Sequence, residues 1–345
     1  MNRFHWASAR TIAEAAAGSI TVAGAMTASA GSAPDSARIL KAGGIDLLDL
    51  MKENLLAPHT LVNLGGIPGL DSIIAEPAGG MRIGAMVKLA DLGVHPLLAR
   101  RYPALADALH GAASPQIRNV ATLGGNLLQR PRCWYFRAAE HHCLRKGGDH
   151  CFAIAGENQY HAIFGNGYCA IVHPSTAATA LVALGATVEL ANDRGAVRRV
   201  LLEDFFVPPE RDIERENDLR PQEILTAILL PSMKAGVRMA HLKQGEKDSF
   251  DWPLADVAAV LELGPDRHCE RAAIVLGAAA PVPHRARAAE AALAGRRVDR
   301  HAAEMAAAAA VKDATPLAKN SYKVPIFAVL VRRAILEAVG RRSSE

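Results

Sequence analysis

Four of the five cysteines fall within one segment, whereas Cys269 lies far along the chain. The four are Cys133, Cys143, Cys151 and Cys169, and nine, seven and seventeen residues separate successive members. Thiolates bind zinc and iron–sulfur clusters, and thiols form disulfides in oxidising compartments. The segment is therefore the first candidate for chemistry in this chain.

Four interpretations of these cysteines stay open. Zinc ligands usually come in pairs two to four residues apart, so a zinc site would need histidines from the same segment. The histidines available are His141, His142, His150 and His161. Two disulfides would require an oxidising compartment. A cluster held by four thiolates suits a loop rich in Gly, Arg and His with little regular pattern, and unrelated free thiols are the fourth interpretation.

Two glycine pairs, in "AGGID" (42–46) and "LGGN" (123–126), form a second candidate site. Without a Cβ, backbone N–H groups can converge on an anion, and a following helix adds a favourable dipole. A glycine pair is most often only a turn. Two such turns, each following an apolar strand, favour a pyrophosphate-binding cradle.

Several other classes of function are disfavoured. The sequence has no Gly-x-Gly-x-x-Gly fingerprint, no Walker loop and no nucleic-acid-binding motif, and its net charge is only +4. No apolar run approaches the ~20 residues of a membrane span. The segment "TIAEAAAGSITVAGAMTASAGSA" resembles a signal-peptide core, but it contains Glu14 and lacks a preceding arginine pair. We interpret it as a helix followed by a flexible insert up to Ser36.

The elements that must position these residues can be read from patterning. "ILKAGGIDLLDLMK" predicts a strand, a glycine turn and a helix with Asp46 in its first turn or cap. Further strands are predicted at "MRIGA" and "LRPQEILTAILLP", with helices at "HPLLARRYPALADALHGAA" and "PSTAATALVALG". Beyond Pro231, "VRMAHLKQGE" predicts a strand, "LADVAAVLELG" a helix, and three more helices follow. The pattern is α/β in the first two-thirds and α+β in the last third.

Four segments together carry a resemblance to a known family. They are "AGGIDLLDLMK", "QIRNVATLGGNLLQRPRCWYFR", "AIFGNGYCAIVHPSTAATALVALGA" and "NSYKVPIFAVLVRRAI". They resemble the FAD-binding medium subunit of molybdenum hydroxylases, the relatives of xanthine dehydrogenase and carbon monoxide dehydrogenase. Within that family the chain is most similar to the FAD subunit of periplasmic aldehyde oxidoreductases, which also carries a [4Fe-4S] cluster. The resemblance runs from Phe4 to about Gly340.

The resemblance implies an α+β fold. A two-subdomain α/β FAD-binding unit of the PCMH type would precede a C-terminal α+β domain of the CO dehydrogenase flavoprotein type. We place the N-terminal FAD-binding subdomain at residues 1–68 and the second at 69–232, with a Cys-rich cluster loop at 130–170. The C-terminal domain then covers residues 233–345.

The resemblance also implies site residues. Both glycine segments would bind the FAD pyrophosphate, and Lys243 would lie beside the flavin. The residues implied for FAD are Leu40, Lys41, Ala42, Gly43, Gly44, Ile45, Asp46, Leu47, Ser114, Thr122, Gly125, Asn126, Thr176 and Lys243. Cys133, Cys143, Cys151 and Cys169 would ligate the [4Fe-4S] cluster, and no residue of the chain is assigned a catalytic role.

The sequence departs from the family pattern at three of the positions near FAD. Ile45 stands where Thr is usual, Thr176 replaces an Asp, and Gly245 replaces a common Arg. Asp251 and Pro253 also interrupt a usually smoother apolar segment. Each lost hydrogen bond to a charged group costs roughly 1.5–3 kcal/mol. The departures therefore bear on the affinity for FAD more than on the identity of the cofactor.

Charged and aromatic residues surround the first cysteine. Arg130 and Arg132 would offset the negative charge of a cluster, or else form salt bridges at a subunit surface. Trp134, Tyr135 and Phe136 are interpreted as core packing rather than as a redox path.

The function implied is electron transfer within a multi-subunit molybdenum hydroxylase. A large subunit with the molybdenum cofactor would hydroxylate the substrate, and a small subunit with [2Fe-2S] clusters would pass electrons to FAD. NAD, oxygen and a soluble carrier all stay open as acceptor. The complex would be cytoplasmic, or periplasmic as a folded passenger on a partner's signal peptide. A stand-alone flavin oxidase and a non-catalytic scaffold with weakened or lost FAD binding are the alternatives.

Overall fold

The first of three β-sheets is parallel. The computed structural model describes residues 1–29 and 37–340. The strands of this sheet are β1 (His5–Ser8), β2 (Ser19–Ile20), β3 (Arg38–Lys41) and β4 (Thr60–Asn63). Their order is β1-β4-β3-β2, and all three pairings are parallel. Parallel strands need crossover connections, which contain α1 (Ile12–Ala16), α2 (Val22–Ser29) and α3 (Ile45–Lys52).

The second sheet is antiparallel and has five strands. They are β5 (Ile73–Ala75), β6 (Met81–Gly84), β7 (Thr187–Asn192), β8 (Val197–Leu201) and β9 (Glu223–Leu230). Their order is β5-β6-β9-β7-β8, so the chain leaves the sheet after β6 and returns at β7. A short helix, α12 (Leu202–Phe205), follows β8.

The long connection between β6 and β7 contains the second glycine segment and the cysteine segment. It contains α4 (Leu89–Gly93), α5 (Pro96–Arg101), α6 (Pro103–His110), α7 (Pro115–Arg118), α8 (Leu123–Leu127), α9 (Trp134–Arg137), α10 (Phe152–Ala155) and α11 (Thr176–Ala183), with a 3-10 turn at Leu144–Lys146. The cysteine segment between α8 and α11 has only short helical turns. It therefore depends on its neighbours for its conformation.

The third sheet is an antiparallel meander that is covered on both faces. Its strands are β10 (Val237–Gln244), β11 (Ala255–Leu263), β12 (Cys269–Gly277) and β13 (His284–Arg285), with a 3-10 turn at Pro265–Arg267. The helices that follow are α13 (Arg287–Leu293), α14 (Arg300–Val311) and α15 (Lys323–Gly340). Helix α15 packs on β10 and β11, while α6 and α11 contact the same sheet.

This architecture confirms the expected α/β unit followed by an α+β unit, but the helix predicted at "LADVAAVLELG" is wrong. That segment is β11, the central strand between β10 and β12. Its residues 255–261 are all buried, because helices lie on both faces of the sheet. A strand buried on both faces shows no alternation, so its apolar run cannot be told from a helix by periodicity.

Two further expectations need correction. The second glycine pair is not a turn after a strand: Gly124 and Gly125 lie inside α8, which follows the helical turn α7. The insert expected up to Ser36 is helical over Val22–Ser29, and residues 30–36 lie outside the described part of the chain. None of the described helices is long and apolar enough to cross a bilayer.

A buried polar contact marks the junction between α11 and the third sheet. His241 Nε2 lies 3.1 Å from Asp256 Oδ2, and both side chains are almost fully buried. A Cβ on Gly277 would lie 1.7 Å from Asp256 Oδ1 and 2.2 Å from Thr179 Oγ1 on α11. Only glycine therefore lets α11 approach the sheet so closely at this position.

We expect Gly277→Ala to lower the free energy of unfolding by about 2 kcal/mol or more, because the added methyl group overpacks this junction. Urea unfolding followed by circular dichroism measures the change. Gly167→Ala is the matched control, since an added Cβ there meets no atom within 4 Å. Equal stability of the two variants would contradict this account of the junction.

Candidate functional site

A cavity of about 580 Å³ lies where the two glycine segments meet. Thirteen of the fourteen residues that the resemblance assigned to FAD line it: Leu40, Ala42, Gly43, Gly44, Ile45, Asp46, Leu47, Ser114, Thr122, Gly125, Asn126, Thr176 and Lys243. The exception is Lys41, which lies outside the lining with its Nζ 5.5 Å from the centre of the Trp6 ring. Residues far apart in sequence are thus brought to a single cavity.

The first glycine segment presents the start of α3 to this cavity. Gly44 is the N-cap residue, with φ of +85°, a conformation that glycine adopts without strain. Because glycine has no side chain to cap the helix, the first-turn N–H groups remain available to an anion. A Cβ on Gly43 would lie 2.3 Å from the carbonyl oxygen of Val120, so this glycine lets the two segments touch.

The second glycine segment is held by side-chain caps. Thr122 is the N-cap of α8, and its Oγ1 accepts a hydrogen bond from Gly125 N at 3.1 Å. Asn126 Oδ1 accepts from Ser175 Oγ at 2.5 Å, and Ser175 in turn caps α11. A Cβ on Gly124 would lie 2.9 Å from the carbonyl oxygen of Ala85. Gly124 therefore serves close packing, and Gly125 faces the cavity.

Asp46 connects the first glycine segment to the cysteine segment. Its carboxylate accepts a hydrogen bond from Arg130 N at 2.8 Å and pairs with Arg132 at 2.8 Å and Arg137 at 2.6 Å. The same two guanidinium groups also reach Asp49, one turn further along α3. These contacts neutralise an acid in the first turn of α3 that would otherwise repel an anion in the cavity.

These contacts also bear on the two roles considered for Arg130 and Arg132. Both pair with carboxylates: Arg132 with Asp46 and Asp49, and Arg130 with Glu216 at 2.9 Å. The Arg130 side chain is only 2% exposed, so this pair is interior rather than a surface salt bridge. Both arginines therefore form ion pairs within the chain, and the expectation that they offset the charge of a cluster stays a prediction.

All four cysteines of the segment line a second, small cavity. Its walls comprise Cys133, Tyr135, Phe136, Cys143, Leu144, Arg145, Cys151, Phe152, Ala153, Cys169 and Ile171. Burial raises the pKa of the Cys133 thiol to about 12 and also raises that of Cys143. A hydrogen bond with Cys169 lowers the pKa of Cys151 to about 6 and raises that of Cys169. The four thiols therefore border one small cavity, and Cys151 differs from the others in having a lowered pKa.

The cysteine geometry narrows the four interpretations. All five cysteines lie within the described ranges and are free thiols, so they form no disulfides there. Across residues 1–29 and 37–340, no three His, Cys, Asp or Glu side chains are grouped to bind one metal ion. This arrangement by itself supports neither a zinc site nor a cluster over free thiols. Cys269 is fully buried in β12, away from the other four.

Two buried basic residues beside the thiols were missed as cluster neighbours by the sequence reasoning. Burial opposes the charge of the Arg145 guanidinium, yet Glu216 and Cys169 raise its pKa. His161 Nε2 lies 3.2 Å from Cys133 Sγ, and burial lowers the pKa of this imidazole to about 4. Arg145 follows Cys143 by two positions, but nothing in the pattern signalled that it would be buried.

The three aromatic residues after Cys133 differ in how deeply they are buried. Phe136 is fully buried and packs in the core, as expected, beneath the Arg130 guanidinium at 4.9 Å from the ring centre. Trp134 and Tyr135 are only half-buried, and Trp134 contacts Tyr160 and His161 edge to face. The interpretation as core packing thus holds fully for Phe136 alone.

Lys243 lies on β10 at the edge of the large cavity. Its Nζ donates hydrogen bonds to the carbonyl oxygens of Gly111 at 2.9 Å and Asp251 at 2.6 Å. Burial lowers the pKa of this ammonium group. The contacts hold the loop after β10 against the end of α6.

That loop adds two exposed aromatic residues to the cavity wall. Phe250 and Trp252 line the cavity, although each is more than half exposed. The Arg118 guanidinium lies 5.7 Å from the Phe250 ring centre and that of Arg132 5.1 Å from the Trp252 ring centre. These cation–π contacts attach the loop to the segment that precedes the cysteines.

The departures from the family pattern leave the cavity open. Ile45 and Thr176 both line it, and Thr176 Oγ1 donates a hydrogen bond to the carbonyl oxygen of Ala108 at 3.3 Å. Gly245 lies outside the lining. None of the three described positions fills the space between the glycine segments, so the changes alter single polar contacts rather than the shape of the site.

The fold and cavity match two family models that together span most of the chain. Residues 2–233 match the model described as the FAD binding domain in molybdopterin dehydrogenase. Residues 240–338 match the CO dehydrogenase flavoprotein C-terminal domain. The chain belongs to the FAD-binding medium subunits of the xanthine dehydrogenase and CO dehydrogenase family of molybdenum hydroxylases, which confirms the resemblance.

Individual relatives support the same assignment. The aldehyde oxidoreductase FAD-binding subunit PaoB of Escherichia coli is 36% identical over 299 residues, covering 86% of this chain and 90% of that one. The nicotine 6-hydroxylase medium subunit of Paenarthrobacter nicotinovorans is 29% identical, with 87% and 89% covered. A solved carbon monoxide dehydrogenase from Hydrogenophaga pseudoflava superposes with a TM-score of 0.73 at 27% identity, with 98% of each chain covered.

We expect Asp46→Asn to lower the free energy of unfolding by about 3 kcal/mol, because it leaves two half-buried guanidinium groups without their main partner. Asp49→Asn is the matched control: Asp49 contacts the same two arginines but is 44% exposed, so its loss should cost at most about 1 kcal/mol. Urea unfolding measures both variants. Equal losses would show that Asp46 is not the principal connection between the segments.

Proposed function

We propose that this chain is the FAD-containing electron-transfer subunit of a multi-subunit molybdenum hydroxylase. It would receive electrons from iron–sulfur clusters and pass them through FAD to an external acceptor. The observation that carries the proposal is the convergence of both glycine segments on one cavity in a chain of this family. The scaffold alternative is not favoured, because the cavity is open and lined by the residues a cofactor would need.

The residues present fit FAD. The first-turn N–H groups of α3 and the backbone of α8 would bind the pyrophosphate, since Gly44 and Gly125 leave room that a Cβ would occupy. Ile45 lacks the hydroxyl usual in the family, but backbone N–H groups need no particular side chain. When bound, FAD supplies the exchange between one-electron and two-electron transfer. Lys243, held at the cavity edge, would orient the flavin from the side of the third sheet.

We also propose that Cys133, Cys143, Cys151 and Cys169 hold one [4Fe-4S] cluster. Three observations of this chain support it: the four thiols share one cavity, Arg145 places a buried positive charge beside Cys169, and His161 contacts Cys133. A cluster held by four thiolates is an anion. The charged Arg145 guanidinium would therefore favour the reduced form of the cluster, while the neutral His161 imidazole would pack beside Cys133.

The proposed partners are a large subunit with the molybdenum cofactor and a small subunit with [2Fe-2S] clusters. Several relatives carry names that describe components of larger enzymes, such as medium subunit, medium chain or complex subunit. We further propose the division into units at residues 1–68, 69–232 and 233–345. The three separate sheets support this division.

Gly125→Ala tests the flavin site without disturbing the fold. Alanine is the better helix former, so the free energy of unfolding should be unchanged or higher. The added Cβ would lie 3.0 Å from Thr122 Oγ1 and would take up space in the cavity. We expect FAD to bind about 10–100-fold more weakly, which corresponds to one lost hydrogen bond to a charged group. Flavin fluorescence titration of the deflavinated chain measures the dissociation constant.

Gly93→Ala provides the control for that comparison. Gly93 is also helical and buried, but an added Cβ there meets only ordinary contacts from 3.6 Å outward, away from the cavity. Its FAD affinity should equal that of the unaltered chain. Equal affinity in Gly125→Ala as well would reject the assignment of α8 to the pyrophosphate.

Metal analysis tests the cluster. Anaerobic purification should give about four irons and four acid-labile sulfides per chain, as expected for a cubane held by four thiolates. Cys151→Ala should lower both values and expose segment 130–170 to protease, whereas Cys269→Ser should change neither. Stoichiometric zinc without sulfide would reject the cluster.

A further inference from the structure

One buried ionic group lies between the two cavities. Glu216 Oε1 accepts hydrogen bonds from Arg130 Nη2 at 2.9 Å, from Arg130 Nε at 3.3 Å and from Arg145 Nη1 at 2.8 Å. The Arg130, Glu216 and Arg145 side chains are 2%, 9% and 1% exposed. Arg130 and Glu216 line the large cavity, and Arg145 lines the small one. We call these three residues the ionic triad.

The triad carries more positive than negative charge. Two guanidinium groups share one carboxylate, and a buried charge without a counter-charge is unfavourable. Arg145 Nε and Nη2 are buried and have no hydrogen-bond partner within the residues that the structure describes. Arg145 and Cys169 line the same small cavity. The uncompensated charge therefore lies on the cysteine side, where an anionic cluster would balance it.

The triad also holds one wall of the large cavity. Arg130 Nη2 donates to the carbonyl oxygen of Glu214 at 2.8 Å, and Arg145 Nη1 lies 3.4 Å from that of Arg215. Residues 215–217 line the large cavity. The position of this wall thus depends on both arginines, one of which borders the thiols.

We propose that binding of an iron–sulfur cluster by the cysteines and binding of FAD in the large cavity are thermodynamically coupled through the ionic triad. This inference rests on the proposed function. A cluster compensates Arg145, Arg145 then holds Glu216 and residues 214–216 in place, and the completed wall binds FAD more tightly. Linkage makes the effect reciprocal, so FAD also strengthens retention of the cluster.

The first experiment compares FAD affinity with and without the cluster. The full chain, purified anaerobically with its partners, and its Cys151→Ala variant are deflavinated and titrated with FAD. We expect the cluster-free form to bind FAD at least about 5-fold more weakly, the lower end of usual couplings between sites. A ratio below about twofold, with iron and flavin both stoichiometric in the unaltered chain, would overturn the coupling and leave the proposed function intact. Absence of iron or flavin from the unaltered chain would overturn both.

A second variant tests whether the ionic triad carries the coupling between cluster binding and FAD binding. Arg145→Gln combined with Glu216→Gln removes one positive and one negative charge, and it should reduce the FAD affinity ratio below about twofold. The matched control is Arg285→Gln with Glu290→Gln, an ion pair at 2.7 Å in the third sheet unit, which should keep the full ratio. If the triad variant keeps the full ratio, the coupling takes another route and the proposal is wrong.

A third measurement avoids the triad variant and does not depend on its folding. Because linkage is reciprocal, the deflavinated unaltered chain should release iron at a lower chelator concentration than the FAD-loaded chain. The shift in chelator midpoint should match the FAD affinity ratio. Identical midpoints would overturn the proposal.

Discussion

The contact between the Asp46 carboxylate and the segment from Arg130 to Arg137 is the interaction on which the rest of this site depends. It joins α3, which begins at the first glycine pair, to the residues that lead into the first cysteine. Gly43 completes the junction, since any side chain there would collide with Val120. Because the same carboxylate serves both segments, the large and small cavities cannot be positioned independently.

Each of the four arginines between the two cavities pairs with a carboxylate. Asp46 and Asp49 satisfy Arg132 and Arg137, and Arg130 is satisfied by Glu216. Among these arginines of the described chain, Arg145 has two buried guanidinium nitrogens without a hydrogen-bond partner, Nε and Nη2, and Arg132 has one, Nε. A buried charge without a counter-charge destabilises a fold, so binding of an anion beside it would stabilise the folded chain.

The sequence predicted the family of this chain and the residues that line its large cavity better than some of its local structure. Glycine pairs and clustered cysteines can be recognised in the sequence, because their physical roles depend on residue type and spacing. β11 was taken for a helix because burial on both faces removes the periodic signal. The roles of Arg145 and Glu216 could not be predicted, because 71 positions separate them and only the fold pairs them. Long-range ion pairs leave no mark on local patterning.

The location of the cysteine segment explains how such a site can exist within this fold. The segment lies between α8 and α11 and contributes no strand to any of the three sheets, so neither the strand order nor the strand register depends on it. Its own short helical turns bury little, so its conformation depends on Phe136, on the arginine contacts and on hydrogen bonds from the C-terminal unit. Asn320 and Lys323 both donate to the carbonyl oxygen of His161. The flavin cradle, by contrast, is built from backbone that two sheets and their helices hold in place. A change of one side chain, such as Ile45, therefore leaves the backbone of the cradle in place, whereas the thiols lie in a segment whose conformation depends on contacts with its neighbours.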